Sequence, residues 1–390
     1  MSTTSQYSGN WNYPTRVIFG AGQREKLPAI CSELMINNPL LVTDQGLAKL
    51  PLLTDIKTIF EKNNQKFSVF SDIKPNPTGE NVTAGVNSFK NSDHDGVIAL
   101  GGGSALDAAK AIALMIGQSR DLWDFEDIGN NWTRVNTDNL MPVIAVPTTA
   151  GTGSEVGRAS VINHVQAEKK KIIFHPSMLP ACVVADPTLT VGLSAKITAA
   201  TGMDALSHNL EAYCSPGFHP MADGIALQAM GMIRHSLPKV VKDGTDLGAR
   251  SEMLAASLMG ATAFQKGLGA MHALAHPLGA VYDAHHGLLN AILMPYVLKY
   301  NEREICDKMC KLANVLELKE KSFSCVLDWI LEIREEIGIP NSLNEIGISD
   351  DRVDEISAMA EADPSSQGNP RAMTKEDYEI ILSNAIVGVF

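Results

Sequence analysis

The sequence predicts an α/β domain with a parallel sheet followed by an all-α domain, and three observations predict it. Up to about residue 190, short apolar runs alternate with helical patterns and turn clusters. Several of those runs end in turn chemistry, which is how a parallel sheet with ligand-bearing loops is written. After Asp186-Pro187 the strand signals fade, and long stretches with helical spacing take over. The chain has 390 residues, beyond the about 250–300 at which single cores stop growing. The expected division is therefore residues 1–190 and 191–390.

The candidate strands are Pro39–Thr43, Lys66–Phe70, Gly96–Leu100, Pro142–Val146 and Ala181–Ala185. Asp44 follows the first, Pro75–Thr78 the second, Gly101-Gly102-Gly103-Ser104 the third and Pro147-Thr148-Thr149 the fourth. The candidate helices of the second half are Ile197–Tyr213, Ala222–Lys239, Leu247–Phe264, Met271–Tyr282, Gly287–Tyr300, Cys306–Leu316 and Phe323–Ile337. Pro216, Pro238, Pro295 and Pro340 fall near their expected ends, where proline is tolerated. Glu361–Pro370 reads as a loop.

A hydrophobic fraction of 45% and a charged fraction of 19% describe a globular chain with ample core. Net charge is −12, and the one basic block is Lys169-Lys170-Lys171, so neither nucleic acid nor an anionic membrane surface is an expected partner. The six cysteines, Cys31, Cys182, Cys214, Cys306, Cys310 and Cys325, form no CxxC pair. No basic patch precedes an apolar stretch at the N-terminus, and no apolar run is long enough to span a bilayer. The expected setting is cytoplasmic, with reduced thiols.

Two regions carry chemistry. In DGVIALGGGSALDAAK, three glycines between strand and helix allow close approach of a phosphate, and the helix start supplies free N–H groups and the positive dipole end. A tight turn alone would explain the glycines. A second loop, with hydroxyls Thr148, Thr149 and Thr152, also follows a strand and favours a Rossmann-like dinucleotide-binding domain. The pattern is not GxGxxG with an acid downstream. The acid suited to a ribose, Asp44, precedes the glycines, and its charge would favour NAD, leaving NADP as the lesser alternative.

In the second region, Asp204 and His208 lie four apart, so they share a helix face about 6 Å apart along the axis. His272, His276, His285 and His286 follow. A single histidine on an apolar helix is usually a hydrogen-bonded core residue. Several in apolar surroundings, with an aspartate at helical spacing, each need a partner. Asp204, His208, His272 and His286 make a first shell for a divalent metal with one position open. That makes the second half an all-α, metal-binding domain. His276 suits proton relay, and His285 reads as a satisfied polar residue. His94, His164, His175, His219 and His235 read as surface or second-shell residues.

With PNPT, GGGSALDAAK, PTTAGTGSE, DPTLT, TAATGMDALSH, GxxHxxxHxxG and HHGLLNAILMP in hand, the chain resembles the iron-containing (group III) alcohol dehydrogenases. Glycerol dehydrogenase and dehydroquinate synthase belong to the wider set. The likeness runs through nearly all of residues 10–300. It implies Asp204, His208, His272 and His286 as ligands of Fe(II), with Zn(II) as the alternative, and His276 beside the nicotinamide. It implies Asp44, Asn76, Gly102, Gly103, Ser104, Asp107, Thr148, Thr149, Thr152 and Lys171 around the dinucleotide. The activity it implies is reversible hydride transfer between a small alcohol and NAD. A glycerol- or diol-type dehydrogenase and a dehydroquinate synthase-like lyase are the alternatives. It further implies a homodimer.

Overall fold

The computed structural model describes residue 13, residues 15–167 and residues 169–390, and the chain divides into two compact units. Of the described residues, one takes 15–149 and Gly153–Gly192; the other takes Tyr13, Ala150–Thr152 and Leu193–Phe390.

Among the described residues of the α/β unit, six strands make one parallel sheet. They are β1 (Arg16–Phe19), β2 (Pro39–Asp44), β3 (Ser68–Ile73), β4 (Gly96–Gly101), β5 (Val143–Pro147) and β8 (Cys182–Ala185), in the order β1-β8-β5-β4-β2-β3. Leu41, Ile98, Ile144 and Val184 pack on Ile30 of helix α1 (Leu27–Glu33) and on Ile56 and Phe60 of α2 (Pro51–Lys62). Buried strands of this kind read as continuous apolar runs, which is why the sequence located them. After β3 the chain returns across β2 to build β4 on its other side. The C-terminal ends of β2 and β4 therefore flank a switch point, where open parallel sheets bind ligands. Asp44 ends one strand and the glycine turn ends the other.

Two further helices, α3 (Gly79–Lys90) and α4 (Gly103–Met115), complete the unit, together with an antiparallel hairpin, β6 (Ala159–His164) and β7 (Lys169–Phe174). The hairpin and β1 have no counterpart in the sequence reading: their strands are half-buried and carry Asn163, His164 and the lysine block, so the apolar alternation is diluted.

The helical unit runs α5 (Ala195–Cys214), α6 (Pro220–Lys242), α7 (Leu247–Ala263), α8 (Ala270–Tyr282), α9 (His286–Val315), α10 (Phe323–Glu336), α11 (Val353–Glu361) and α12 (Lys375–Val387). α5 is buried from Thr198 to Cys214. Two expectations are corrected here. The stretches Gly287–Tyr300 and Cys306–Leu316 are one 30-residue helix, and Pro238 and Pro295 lie inside helices rather than at their ends. Proline costs a helix one hydrogen bond and a kink, and burial of Pro295 within α9 outweighs that loss. No helix is long and apolar enough to cross a membrane among the described residues.

One buried charge network braces the α/β unit. Lys110 of α4 is 2% exposed. Its Nζ donates to the carbonyls of Ser154 (2.9 Å) and Ala159 and lies 3.2 Å from Asp107 Oδ1. Burial lowers the Lys110 pKa, against the pull of Asp107, and burial pushes the neighbouring Glu155 up to about 7. Lys110→Met would take the counter-charge from Asp107 and the donor from two carbonyls, a loss of about 3 kcal/mol. The expected result is an unfolding temperature lower by roughly 5–10 °C. A melting curve that overlays the parent's would show the network to be idle.

Candidate metal and cofactor sites

α5, α8 and the first turn of α9 bring one carboxylate and three imidazoles together. Asp204 and His208 face the same way from successive turns of α5, His272 comes from α8, and His286 opens α9. One ligand atom from each lies within 4.8 Å of all the others. Asp204 Oδ1 is 3.7 Å from His286 Nε2 and 4.0 Å from His208 Nε2. The His208 and His272 rings stack with centroids 4.8 Å apart.

The outer nitrogens are held by partners the sequence reading did not name. His208 Nδ1 lies 3.2 Å from the carbonyl of Gly151, and His272 Nδ1 lies 2.6 Å from Glu211 Oε2. A proton on each Nδ1 leaves each Nε2 lone pair for the cluster, the arrangement found behind most metal-bound histidines. Glu211 also accepts from the Met271 amide at 2.7 Å. Burial pushes Glu211 up to about 7 against those N–H bonds. Burial, then His208, keeps His272 well below the usual imidazole range. Burial also pushes Asp204 up, but the three imidazoles and Asn290 outweigh it and hold the carboxyl at about 2.

Asn290 supplies the test of whether these residues suit a cation. Its Nδ2 sits 2.9 Å from Asp204 Oδ1, 3.1 Å from His272 Nε2 and 3.2 Å from His286 Nε2, while its buried Oδ1 has no partner. With His272 and His286 protonated on Nδ1, as metal ligation through Nε2 requires, all three partners are acceptors, and an amide nitrogen has only two protons. Turning the amide over would set Oδ1 against a carboxylate. The cluster therefore holds more lone pairs than protons, and a divalent cation balances it. Metal–ligand bonds of about 2.1 Å allow ligand atoms no more than about 4.2 Å apart, so the set needs only a small contraction. One carboxylate and three nitrogens suit Fe(II) or Zn(II).

Close backbone approach makes the cluster possible. A Cβ on Gly287 would lie 2.4 Å from the Ala200 carbonyl and 3.0 Å from Asp204 Cβ. His285 accepts from the Leu288 amide at 3.4 Å as the N-cap of α9, which agrees with its reading as a satisfied polar residue. His276 stays outside the four-atom group. Its ring stacks on His286 with centroids 5.5 Å apart, and its Nδ1 lies 2.9 Å from Asp363 Oδ2. His94, His175 and His219 are buried, not surface residues, and tether or cap turns through Nδ1.

In the α/β unit the expected cofactor residues divide. Gly101 has φ +148°, and a Cβ there would meet Ala105 Cβ at 2.7 Å, so only glycine turns the chain into α4 at this point. The same position would lie 3.6 Å from Asp44 Oδ2, which puts that carboxylate beside the turn. Asp44 Oδ1 accepts from the Gly46 and Leu47 amides, both at 2.9 Å. Gly102 borders the Thr149 side chain, the Thr148 amide donates to the Gly101 carbonyl at 3.0 Å, and Ser104 Oγ donates to the Pro75 carbonyl, next to Asn76. Gly103 is the first residue of α4, whose leading N–H groups lack intrahelical acceptors.

Three of the expected positions have other contacts or groupings within the chain. Asp107 is engaged inward, accepting from Ser154 Oγ at 2.5 Å and the Val161 amide at 2.9 Å. Lys171 Nζ is held by Glu126 at 2.6 Å, 5.7 Å from the Trp123 ring centroid. Thr152 falls in the short segment grouped with the helical unit. Of the residues not foreseen, Glu211 was within reach of the sequence, three residues after His208 and so on its face of α5. Asn290 is likewise one turn beyond His286.

Residues 14–187 match the family model described as iron-containing alcohol dehydrogenase, and residues 198–386 match that of the C-terminal part of the same family. A 4-hydroxybutyrate dehydrogenase of Cupriavidus necator is 35% identical over 384 residues, covering 96% of this chain and 99% of its own length. An NAD-dependent methanol dehydrogenase of Bacillus methanolicus is 31% identical, covering 97% and 100%. Among solved structures, a 1,3-propanediol oxidoreductase superposes with a TM-score of 0.92 at 32% identity, over 97% of this chain and all of that one.

Gly287→Ala should push α9 off α5 and spoil the placing of His286. We expect divalent-metal affinity to fall roughly tenfold or more, the scale on which disturbed supporting contacts act. Chelator competition measures it, and parental affinity would show that the close approach is not needed.

Proposed function

The chain belongs to the iron-containing alcohol dehydrogenase family, and on that premise we propose that it interconverts small alcohols or diols and their carbonyl products with NAD. It is an oxidoreductase of that family, and its substrates are small molecules. The observation that carries the proposal is the convergence of Asp204, His208, His272 and His286 within 4.8 Å. These four would hold Fe(II), or Zn(II) in its place. Asp44, Asn76, Gly102, Gly103, Ser104, Thr148, Thr149, Thr152 and Lys171 would hold NAD, with Asp107 bracing the first turn of α4 behind them. The metal, when bound, supplies Lewis acidity toward an alcohol oxygen, and the nicotinamide supplies the hydride acceptor.

The chain's own residues do the rest. Glu211 and the Gly151 carbonyl keep Nε2 of His272 and His208 turned inward. Asp204 contributes a single negative charge, so the loaded site keeps a net positive charge that favours an anionic oxygen. His276, half-buried at the rim of the cluster, would accept the alcohol proton. The match to dehydrogenases over the full chain leaves the lyase alternative without support. A diol substrate stays within the proposal because similar proteins bear that name.

We place the enzyme in the cytoplasm, in keeping with its six free cysteines. We also infer a homodimer, since β1 is an edge strand and no further strand covers it among the described residues. The decisive experiment follows NADH on protein reconstituted anaerobically with Fe(II), and separately with Zn(II). The panel should include methanol, 1,3-propanediol, 4-hydroxybutyrate and simple primary alcohols. No NADH from any of them would defeat the proposal.

His272→Ala should remove both turnover and bound metal while NAD affinity, read by fluorescence titration, stays near parental. Turnover without metal would refute the ligand assignment. Asp44→Ser keeps a short acceptor for the Gly46 and Leu47 amides but removes the charge beside the turn. The ratio of kcat/KM for NADP to that for NAD should rise about tenfold or more. An unchanged ratio would place cofactor choice elsewhere.

A further inference from the structure

Asp363 has no part in the ligand set, yet its two oxygens are fully committed. Oδ2 lies 2.9 Å from His276 Nδ1, and Oδ1 accepts from the Ser365 amide at 2.8 Å. The 3-10 turn that presents it, Pro364–Gly368, is fastened to three helices. Tyr378 Oη of α12 donates to Ser366 Oγ at 2.7 Å. Asn369 accepts from the Ala270 amide at the start of α8 (3.3 Å) and exchanges two hydrogen bonds with Asn301 of α9 (2.9 and 3.0 Å). A Cβ on Gly368 would fall 2.0 Å from the Leu268 carbonyl, so the turn is pressed against the backbone entering α8. The carboxylate is thus delivered by a rigid frame from 87 residues away.

One turn earlier on α8, Glu211 makes the same bond to His272 Nδ1. There the freed Nε2 belongs to the ligand cluster; His276 is outside that cluster. A proton held on Nδ1 by Asp363 leaves the His276 Nε2 as an acceptor at the rim.

We infer that Asp363 is a positioning residue, which holds the His276 proton on Nδ1 and so keeps Nε2 bare to receive the proton of the alcohol. The inference rests on the reading of His276 given above. No other atom moves in this step: the alcohol O–H breaks, an Nε2–H forms, and the resulting imidazolium is stabilised by Asp363, which stays ionised.

Asp363→Asn tests it with little change of shape. The Ser365 amide still requires an acceptor, so the new carbonyl oxygen stays there and the new NH2 faces His276 Nδ1. Donating to Nδ1, it drives the ring proton to Nε2. We expect kcat to fall by about 10²–10⁴, the usual range for losing a general base, with alcohol KM, metal content and melting temperature unchanged. In 15N spectra of the Zn(II)-loaded protein labelled at histidine, the His276 Nδ1 signal should move from the protonated to the unprotonated position. Parental kcat with the tautomer inverted would overturn the inference, as would an unaltered tautomer. A loss of kcat accompanied by loss of metal or fold would reduce Asp363 to a structural residue.

The parental spectrum decides without any variant, because a His276 protonated at Nε2 contradicts the inference outright. His276→Gln separates the two levels of the argument. Parental turnover there sinks the role of His276 itself. Impaired turnover there, with parental turnover in Asp363→Asn, sinks the role of Asp363 alone.

Discussion

A carboxylate and three imidazoles gathered within 4.8 Å, three of the four residues buried and His286 at the open edge, are the constraint on which the helical unit turns. Asp204 is 1% exposed, His272 1% and His208 4%, so water cannot serve them. Acceptors crowded together in a medium of low polarizability repel, and a carboxylate taken from water without a counter-charge is costly. Asn290 relieves part of this with two protons among three acceptors, at the expense of its own buried oxygen. The remainder is free energy available to a cation on binding. A core selected for stability alone would not keep this arrangement, which is why its chemistry points to a ligand.

Such a site survives only if the backbone prevents it from relaxing apart. α5 does this by being enclosed along most of its length and approached closely at glycines. Gly260 of α7 leaves no room for a Cβ against Asn209, and Gly287 of α9 leaves none against the Ala200 carbonyl. The far end of α5 is tied as well. Lys308 Nζ donates to the carbonyls of Tyr213, Cys214 and Ser215 at 2.8, 3.0 and 2.8 Å, and Lys266 Nζ reaches Tyr213 at 3.2 Å. Two ammonium groups on the last carbonyls of a helix satisfy orphan acceptors and oppose the negative end of its dipole. With both ends held, Asp204 and His208 cannot rotate away from His272 and His286.

What was legible in the sequence follows from how local each signal is. Two ligands four residues apart on a helix, and a glycine cluster between an apolar run and a helical one, are patterns within a dozen residues. The four buried strands, β2, β4, β5 and β8, announce themselves by being apolar on both faces. β1, β6 and β7 do not, because a half-buried strand shares its face with polar residues such as Asn163 and His164. The single helix from His286 to Val315 looked like two because its middle, Asn301 to Glu304, is polar and Pro295 suggested an end. Glu211 and Asn290 could have been found by extending the helical spacing one turn. Gly151 and Asp363 could not. Each meets its histidine across 57 and 87 residues respectively, through turns whose sequence carries no trace of the pairing.

The two units treat buried charge in opposite ways, and the contrast separates scaffolding from site. In the α/β unit, Asp186 accepts from the Gly22, Arg24 and Thr188 amides, and Lys110 donates to two carbonyls beside Asp107. At these two residues the charged group is matched by donors or acceptors from the chain itself. In the helical unit, Glu211 and Asp363 are balanced in the same way, each by an imidazole N–H and a backbone amide. Those two carboxylates are balanced so that the nitrogens on the other side of their histidines are not. Burial alone therefore says little about function. The informative quantity is the count of lone pairs against protons, and the face shared by α5, α8 and α9, with His276 at its edge, gathers a carboxylate and three imidazoles around one orphaned amide oxygen.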